Sequence, residues 1–277
     1  MGLLRKYNRH LIKRGYNGPI SFHAPFKLGQ IITFSRRHGF TPIGNIGDNY
    51  FGIENYKPKI IRGKSVADID FGTETGVNIQ AKLEGNAALT GSKLTKADAG
   101  FRITFENEAS YLLLTKNTTV DIIENTAELG SKITNLYKAG SWNRNWMVIT
   151  QIVNAQTTTL LIAQKSGAFY EIKASGKING FKDELVNGNT NFSLAASNGM
   201  YTSIIGQKGP FYPLFKLRGI RIRRLRPVGT EFLTIDSIDP MSAFTINKLK
   251  QTNPEFDIDF EESTFNDEIE IDEEGLI

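Results

Sequence analysis

Two regions of this chain alternate apolar and polar residues with a period of two, and that pattern restricts its fold more than any other feature. Val77, Ile79, Ala81 and Leu83 alternate with Asn78, Gln80, Lys82 and Glu84, and Phe101, Ile103 and Phe105 alternate with Arg102, Thr104 and Glu106. A small, polar, glycine-containing connection separates the two runs. Ala168, Tyr170, Ile172 and Ala174 repeat the pattern, as do Phe192, Leu194 and Ala196 after a Gly/Asn-rich connection. Period two gives an extended strand one apolar and one polar face, whereas a helix needs a period near 3.6. Two long amphipathic hairpins follow, over about Val77–Phe105 and Leu160–Ala196. The fold class is therefore α+β, a twisted and mainly antiparallel sheet with surrounding helices.

The remaining elements are read around these hairpins. Leu4, Tyr7 and Leu11 lie at helical spacing within residues 3–14, with Arg5, Lys6, Arg9, Lys13 and Arg14 over much of the remainder, so a basic amphipathic helix ends before Gly15. Such a helix serves equally as a surface helix on its own domain or as a membrane-surface contact. Leu28 to Phe34 and Tyr50 to Ile53 read as short strands between glycine turns. Thr118 or Thr119 is placed to cap a helix running to about Lys138, with Ile122, Leu129, Ile133 and Leu136 as its buried stripe. Trp142 and Trp146 are expected in the core, and Met147–Val153 and Thr157–Ala163 as two strands. In Phe215–Arg226 the apolar residues change parity around Gly219, which predicts a bulge that re-aims the arginines.

Charge is distributed unevenly. The chain has 33 Lys+Arg against 29 Asp+Glu, but residues 255–277 hold 11 of the acids and none of the bases, leaving 33 against 18 before them. A net +15 body is thus joined to a −11 end. Phe256, Ile258, Phe260, Phe265, Ile269 and Ile271 are interleaved with those carboxylates, which disordered acidic tails seldom show. Phe256-Asp-Ile-Asp-Phe260 suits a short strand pressed on a basic, partly apolar surface. The densest basic stretch supplies one: Lys216, Arg218, Arg221, Arg223, Arg224 and Arg226, with no acid among them. Residues 240–254, bounded by Pro240 and Pro254 and without a clear period, read as a linker. The organisation expected is a body over 1–239, a linker over 240–254 and an acidic autoinhibitory segment over 255–277.

Catalytic chemistry is missing from this pattern. The chain has no cysteine, hence no thiolate nucleophile or disulfide, and a reducing cytoplasm fits best. His10, His23 and His38 lack partners at metal-ligand spacing, and Gly44-Asn-Ile-Gly47 lacks the Lys-Ser/Thr of a phosphate loop. Asp68/Asp70 and Glu106/Glu108 sit at period-two spacing, as solvent-facing strand positions do. No run reaches the ~18 apolar residues of a membrane-spanning helix, and none near the start serves as a signal peptide. Neither an enzyme nor a cofactor is expected.

The order of these elements resembles that of the gasdermins, specifically the compact bacterial kind. The likeness runs through the basic N-terminal helix, Gln30-Ile-Ile-Thr-Phe-Ser-Arg-Arg37, Gly76-Val-Asn-Ile-Gln-Ala-Lys-Leu83, the helix after Lys116, Trp146-Met-Val-Ile-Thr-Gln-Ile-Val153 and Gly219-Ile-Arg-Ile-Arg223. It rests on order and spacing, with no short diagnostic motif. The resemblance implies an autoinhibited pore-forming protein of anti-phage defence, monomeric and cytoplasmic when intact. A protease would remove the C-terminal segment, and the body would assemble in the inner membrane as a β-barrel that kills the cell. The strands refolding into membrane would carry Val77, Ile79, Ala81, Leu83, Phe101, Ile103, Phe105, Leu161, Ala163, Tyr170, Ile172, Phe192 and Leu194. Asn247, Lys248, Leu249 and Lys250 mark the favoured cut region. Partners implied are the protease, anionic lipids and further copies of the chain. A +15 body also suits phosphate backbones, so a nucleic-acid module masked by its own tail is the competing class, though no nucleic acid is expected as a partner. A structural β-protein that self-associates without membranes is a third.

Overall fold

A computed structural model describes residues 3–19, 26–35, 38–53, 55–72, 76–82, 86, 91–174, 185, 192–224 and 256–262. In chain order the elements are α1 (Leu3–Ile12), β1 (Gln30–Ser35), β2 (Gly39–Asn45), β3 (Ile60–Ser65), β4 (Asp70–Gly72), β5 (Val77–Lys82), β6 (Ala99–Phe105), β7 (Tyr111–Ile123), α2 (Thr126–Lys138), β8 (Met147–Ala163), β9 (Ala168–Ala174), β10 (Phe192–Asn198), β11 (Met200–Arg224) and β12 (Phe256–Glu262). The registered strand pairs are antiparallel. The chain divides into two compact units that interleave in sequence.

The first unit takes Met1–Phe26, Ile61–Ile122 and Gln151–Phe215. Its centre is the pairing of β7 with β8, from Tyr111↔Ile162 to Ile122↔Gln151. Both faces of this ribbon are buried, which is why Tyr111 to Thr115 read as a continuous buried run and not as an alternation. One face, with Tyr111, Leu113, Leu160 and Ile162, packs against Tyr7 and Leu11 of α1 and Phe211 and Leu214 of β11. The other, with Leu112, Leu114, Leu161 and Ala163, packs against Ile103, Phe105, Ala168, Tyr170 and Ile172. Each large apolar side chain buried this way contributes roughly 1.5–3 kcal/mol. Helix α1 is followed by Gly15 in the left-handed region, φ 75°. Asn8 then clamps the returning chain, donating Nδ2–H to Gly18 O at 3.1 Å and accepting Gly18 N–H at 2.8 Å.

The second unit takes Lys27–Ile60, Ile123–Thr150 and Lys216–Ile277. Its strands follow the order β12-β11-β8-β1-β2. Ile31, Val148 and Ile220 form its core together with Phe51, Ile53, Trp142 and the α2 residues Leu129, Ile133 and Tyr137. Phe51, Trp142 and Trp146 meet edge to face, with ring centroids 5.3–6.2 Å apart. Asn125 fixes the start of α2, its Oδ1 accepting from Tyr56 OH and from Lys59 N–H, both at 2.8 Å.

The structure departs from the sequence reading at four places. Helix α2 begins at Thr126, not at Thr118 or Thr119, and Ile122 lies in β7. Thr118, Thr119, Val120, Ile122 and Ile123 are β-branched, and pairing with β8 along their length outweighs the local capping signal. Tyr50–Ile53 is not a strand, since Asn49–Phe51 forms a 3-10 turn closed by Gly52 at φ 70°. Met147–Val153 and Thr157–Ala163 are one strand of 17 residues. No bulge occurs on the β12 side of Gly219, where the register runs unshifted. A Cβ at Gly219 would stand 3.1 Å from Met147 Cγ, so the glycine serves close approach to that side chain.

Candidate functional site

The acidic end meets the basic stretch as backbone-paired strands. β12 lies at the edge beside β11 and also neighbours α2. Its register places Asp257 opposite Arg223, Asp259 opposite Arg221 and Glu262 opposite Arg218. Between these pairs, Ile258 is opposite Ile222 and Phe260 opposite Ile220. At these five positions acid stands opposite base and apolar opposite apolar, while Glu261 stands opposite Gly219 and Phe256 opposite Arg224. Directly opposed unlike charges contribute roughly 0.2–1 kcal/mol per pair in an antiparallel ribbon, beyond the ladder hydrogen bonds. β12 also covers what would otherwise be the unpaired edge of β11.

The strands expected to refold are collected in a single place. The order is β10-β9-β6-β5, so the two hairpins share one four-stranded sheet, which sequence reading had left apart on either side of a helix. Val77, Ile79 and Ala81 stand opposite Phe105, Ile103 and Phe101. Phe192 and Leu194 stand opposite Ala174 and Ile172, with a register shift just after Leu194. The join is β6 on β9, from Ala99↔Ala174 to Phe105↔Ala168. Leu161 and Ala163 belong to β8 and lie in the apolar layer beneath. Burial raises the pKa of the Tyr170 phenol, so it stays neutral.

In α1 and just after it, Lys6 and Arg14 make contacts within the first unit. Lys6 is ion-paired with Glu108 at 2.5 Å. Arg14 donates to Gly72 O at 3.1 Å and stacks over Phe71 at 4.7 Å. Arg9 and Lys13 are exposed on the helix. His10 has its pKa lowered by partial burial and then by Lys13 and Arg9.

The residues thus fall into three places: α1, the four-stranded sheet and the β11–β12 pair. α1 and the sheet belong to the first unit, and the paired segment Arg218–Arg224 with β12 belongs to the second. Leu83, Arg226, Asn247 to Lys250, Phe265, Ile269 and Ile271 lie outside the described residues, as does the linker 240–254. Among the described residues no helix is long and apolar enough to cross a membrane, and no group of three acidic or histidine side chains is placed to hold a metal. Gly100 escaped the sequence reading. A Cβ there would come 2.2 Å from Ile172 O, and a glycine inside an alternating strand was the available signal.

No family model and no curated protein matches the chain. Among solved structures it is similar to a bacterial gasdermin from Bradyrhizobium tropiciagri, with 12% sequence identity, 78% of this chain and 86% of that chain covered, and a TM-score of 0.33.

Proposed function

We propose that this chain is an autoinhibited pore-forming protein of the gasdermin kind that its element order resembles. The observation that carries the reading is the acidic β12 held in charge-matched register on the basic edge of β11. β12 restrains the body, and a cut within Asn247–Lys250 severs its tether. Docking contacts survive the cut, but a tethered segment sits at about millimolar effective concentration and a severed one is diluted away. The freed body, cytoplasmic until then, binds the anionic inner membrane through α1 and the Lys216–Arg226 stretch. Copies assemble there and place the four-stranded sheet in the bilayer.

The sheet's pattern supports this last step. By register the apolar positions of β5, β6 and β9 share one face with Phe192 and Leu194 of β10, while Ala196 falls opposite Glu171 after the shift, and a closed ring of such strands leaves no unpaired backbone in lipid. Their 6–7 residues fall short of the ~9–11 a membrane strand needs, so each strand must lengthen. Ile103, Phe105, Tyr170 and Ile172 must also leave Leu112, Leu114 and Leu161.

The test is a chain truncated before Pro254, compared with the intact chain on anionic vesicles loaded with dye. Release by the truncated chain alone is expected. Sealed vesicles with a salt-sensitive gel shift would favour the nucleic-acid module, and soluble oligomers with neither activity the structural one. Arg9→Gln with Lys13→Gln should weaken vesicle binding about 30-fold at low salt, from ~1 kcal/mol per lost charge at the surface. Cosedimentation reads that change.

A further inference from the structure

Residues 91–98, just ahead of β6, cross the outward face of the four-stranded sheet, away from β7 and β8. By strand parity, Lys82, Gly100, Arg102, Glu171 and Lys173 occupy that face, and alternation alone would leave them in water. The 91–98 segment covers Lys82 and Glu171 instead, while Lys173 stays exposed at the margin. Lys82 is 1% exposed, and its Nζ donates to Asp98 O at 2.5 Å and to Lys96 O at 3.5 Å. Glu171 is 0% exposed and accepts from Lys93 N–H at 2.9 Å and from Arg102 Nη1 at 3.3 Å. The Asp98 carboxylate accepts from Thr95 N–H at 2.7 Å and Thr95 Oγ1 at 2.8 Å, and is ion-paired with Lys173. That pairing, with the Thr95 bonds next, holds the carboxyl near a pKa of about 2. Leu94 is buried over Gly100, where a Cβ would come 3.0 Å from Leu94 Cδ1.

A lysine and a glutamate stripped of water are tolerated only while their partners stay in place. Those partners are supplied by residues 91–98 and by the strands of both hairpins. We infer that the 91–98 loop is a clasp, a second restraint independent of the acidic strand, which must open before the sheet lengthens into membrane strands. Extending β6 backwards recruits Asp98, Ala97 and Lys96 in turn. The first step takes away the Asp98 carbonyl that holds Lys82 and the carboxylate that holds Lys173 and Thr95, and the third takes away the Lys96 carbonyl that also holds Lys82. Once the clasp is open, the outward charges face water again, as the lumen side of a barrel requires. The purpose of the clasp rests on the pore-forming reading, whereas its existence rests on the contacts alone.

Asp98→Ala tests it, with the milder Lys173→Gln beside it in case the first fails to fold. Amide exchange on the intact chain should speed up on the order of tenfold at Thr95 and its neighbours in Asp98→Ala. In chains truncated before Pro254, dye release should quicken by a similar factor, while Ile133→Val, which loosens the second unit's core, leaves it unchanged. Unaltered exchange would overturn the clasp. Faster exchange with unaltered release, or an equal gain with Ile133→Val, would overturn its role as a restraint. If the truncated parent leaves vesicles sealed, the pore-forming reading and the restraint fall together, and exchange still decides whether the clasp exists.

Discussion

Intact chains carrying Asp257→Lys together with Asp259→Lys are expected to release dye from anionic vesicles without any cleavage. Both positions stand opposite arginines, at Arg223 and Arg221, so each exchange converts a favourable cross-strand pair into a repulsive one. At roughly 0.2–1 kcal/mol per pair in each direction, the two together cost about 2 kcal/mol, a shift of about 30-fold towards the undocked strand. The change lies wholly in the tail, and the basic surfaces proposed to bind lipid keep their charges. Adding Arg221→Glu with Arg223→Glu should restore docking, because the same two positions regain opposite signs. Hydrogen exchange of the β12 amides is the proper readout for that rescue, since the reversed arginines also weaken lipid attraction. A lysine-bearing β12 as well protected as the native strand would mean that the charge register does not hold it.

Gly100→Ala is expected to unfasten β6 from β9. The new Cβ would stand 2.2 Å from Ile172 O, a backbone atom with no flexible end to swing aside, and Leu94 closes the space above. Opening the strands at Gly100↔Lys173 should cost about 3 kcal/mol, the upper range for overpacking. That corresponds to a midpoint lowered by about 5–10 °C in a thermal melt. Gly72→Ala is the control. A Cβ at Gly72 has only ordinary contacts at 3.9 Å and should change the midpoint by no more than a few degrees.

What was legible in the sequence was whatever one face of one element decides. Alternation located β5, β6, β9 and β10, and the Tyr7 and Leu11 spacing located the buried side of α1, both residues being fully buried. What was hidden depends on partners far along the chain. Thr118 to Ile123 carry a plausible cap and one correctly spaced isoleucine, yet β8 claims them for a strand. The merging of two hairpins through β6 and β9 leaves no local trace, because any amphipathic strand accepts another on either edge. Lys82 and Glu171 sit at polar positions of the alternation, which by itself would leave them in water. Only the crossing of residues 91–98 removes their water, and no period in the sequence announces a loop that folds back on the strand it follows.

The position of β12 also matters while the chain is being made. β11 ends at Arg224 and its partner strand at Glu262, so at roughly 5–20 residues per second a ribosome completes the basic edge about 2–8 s before it has added the strand that covers it. Every newly made copy passes through an uncovered interval during translation.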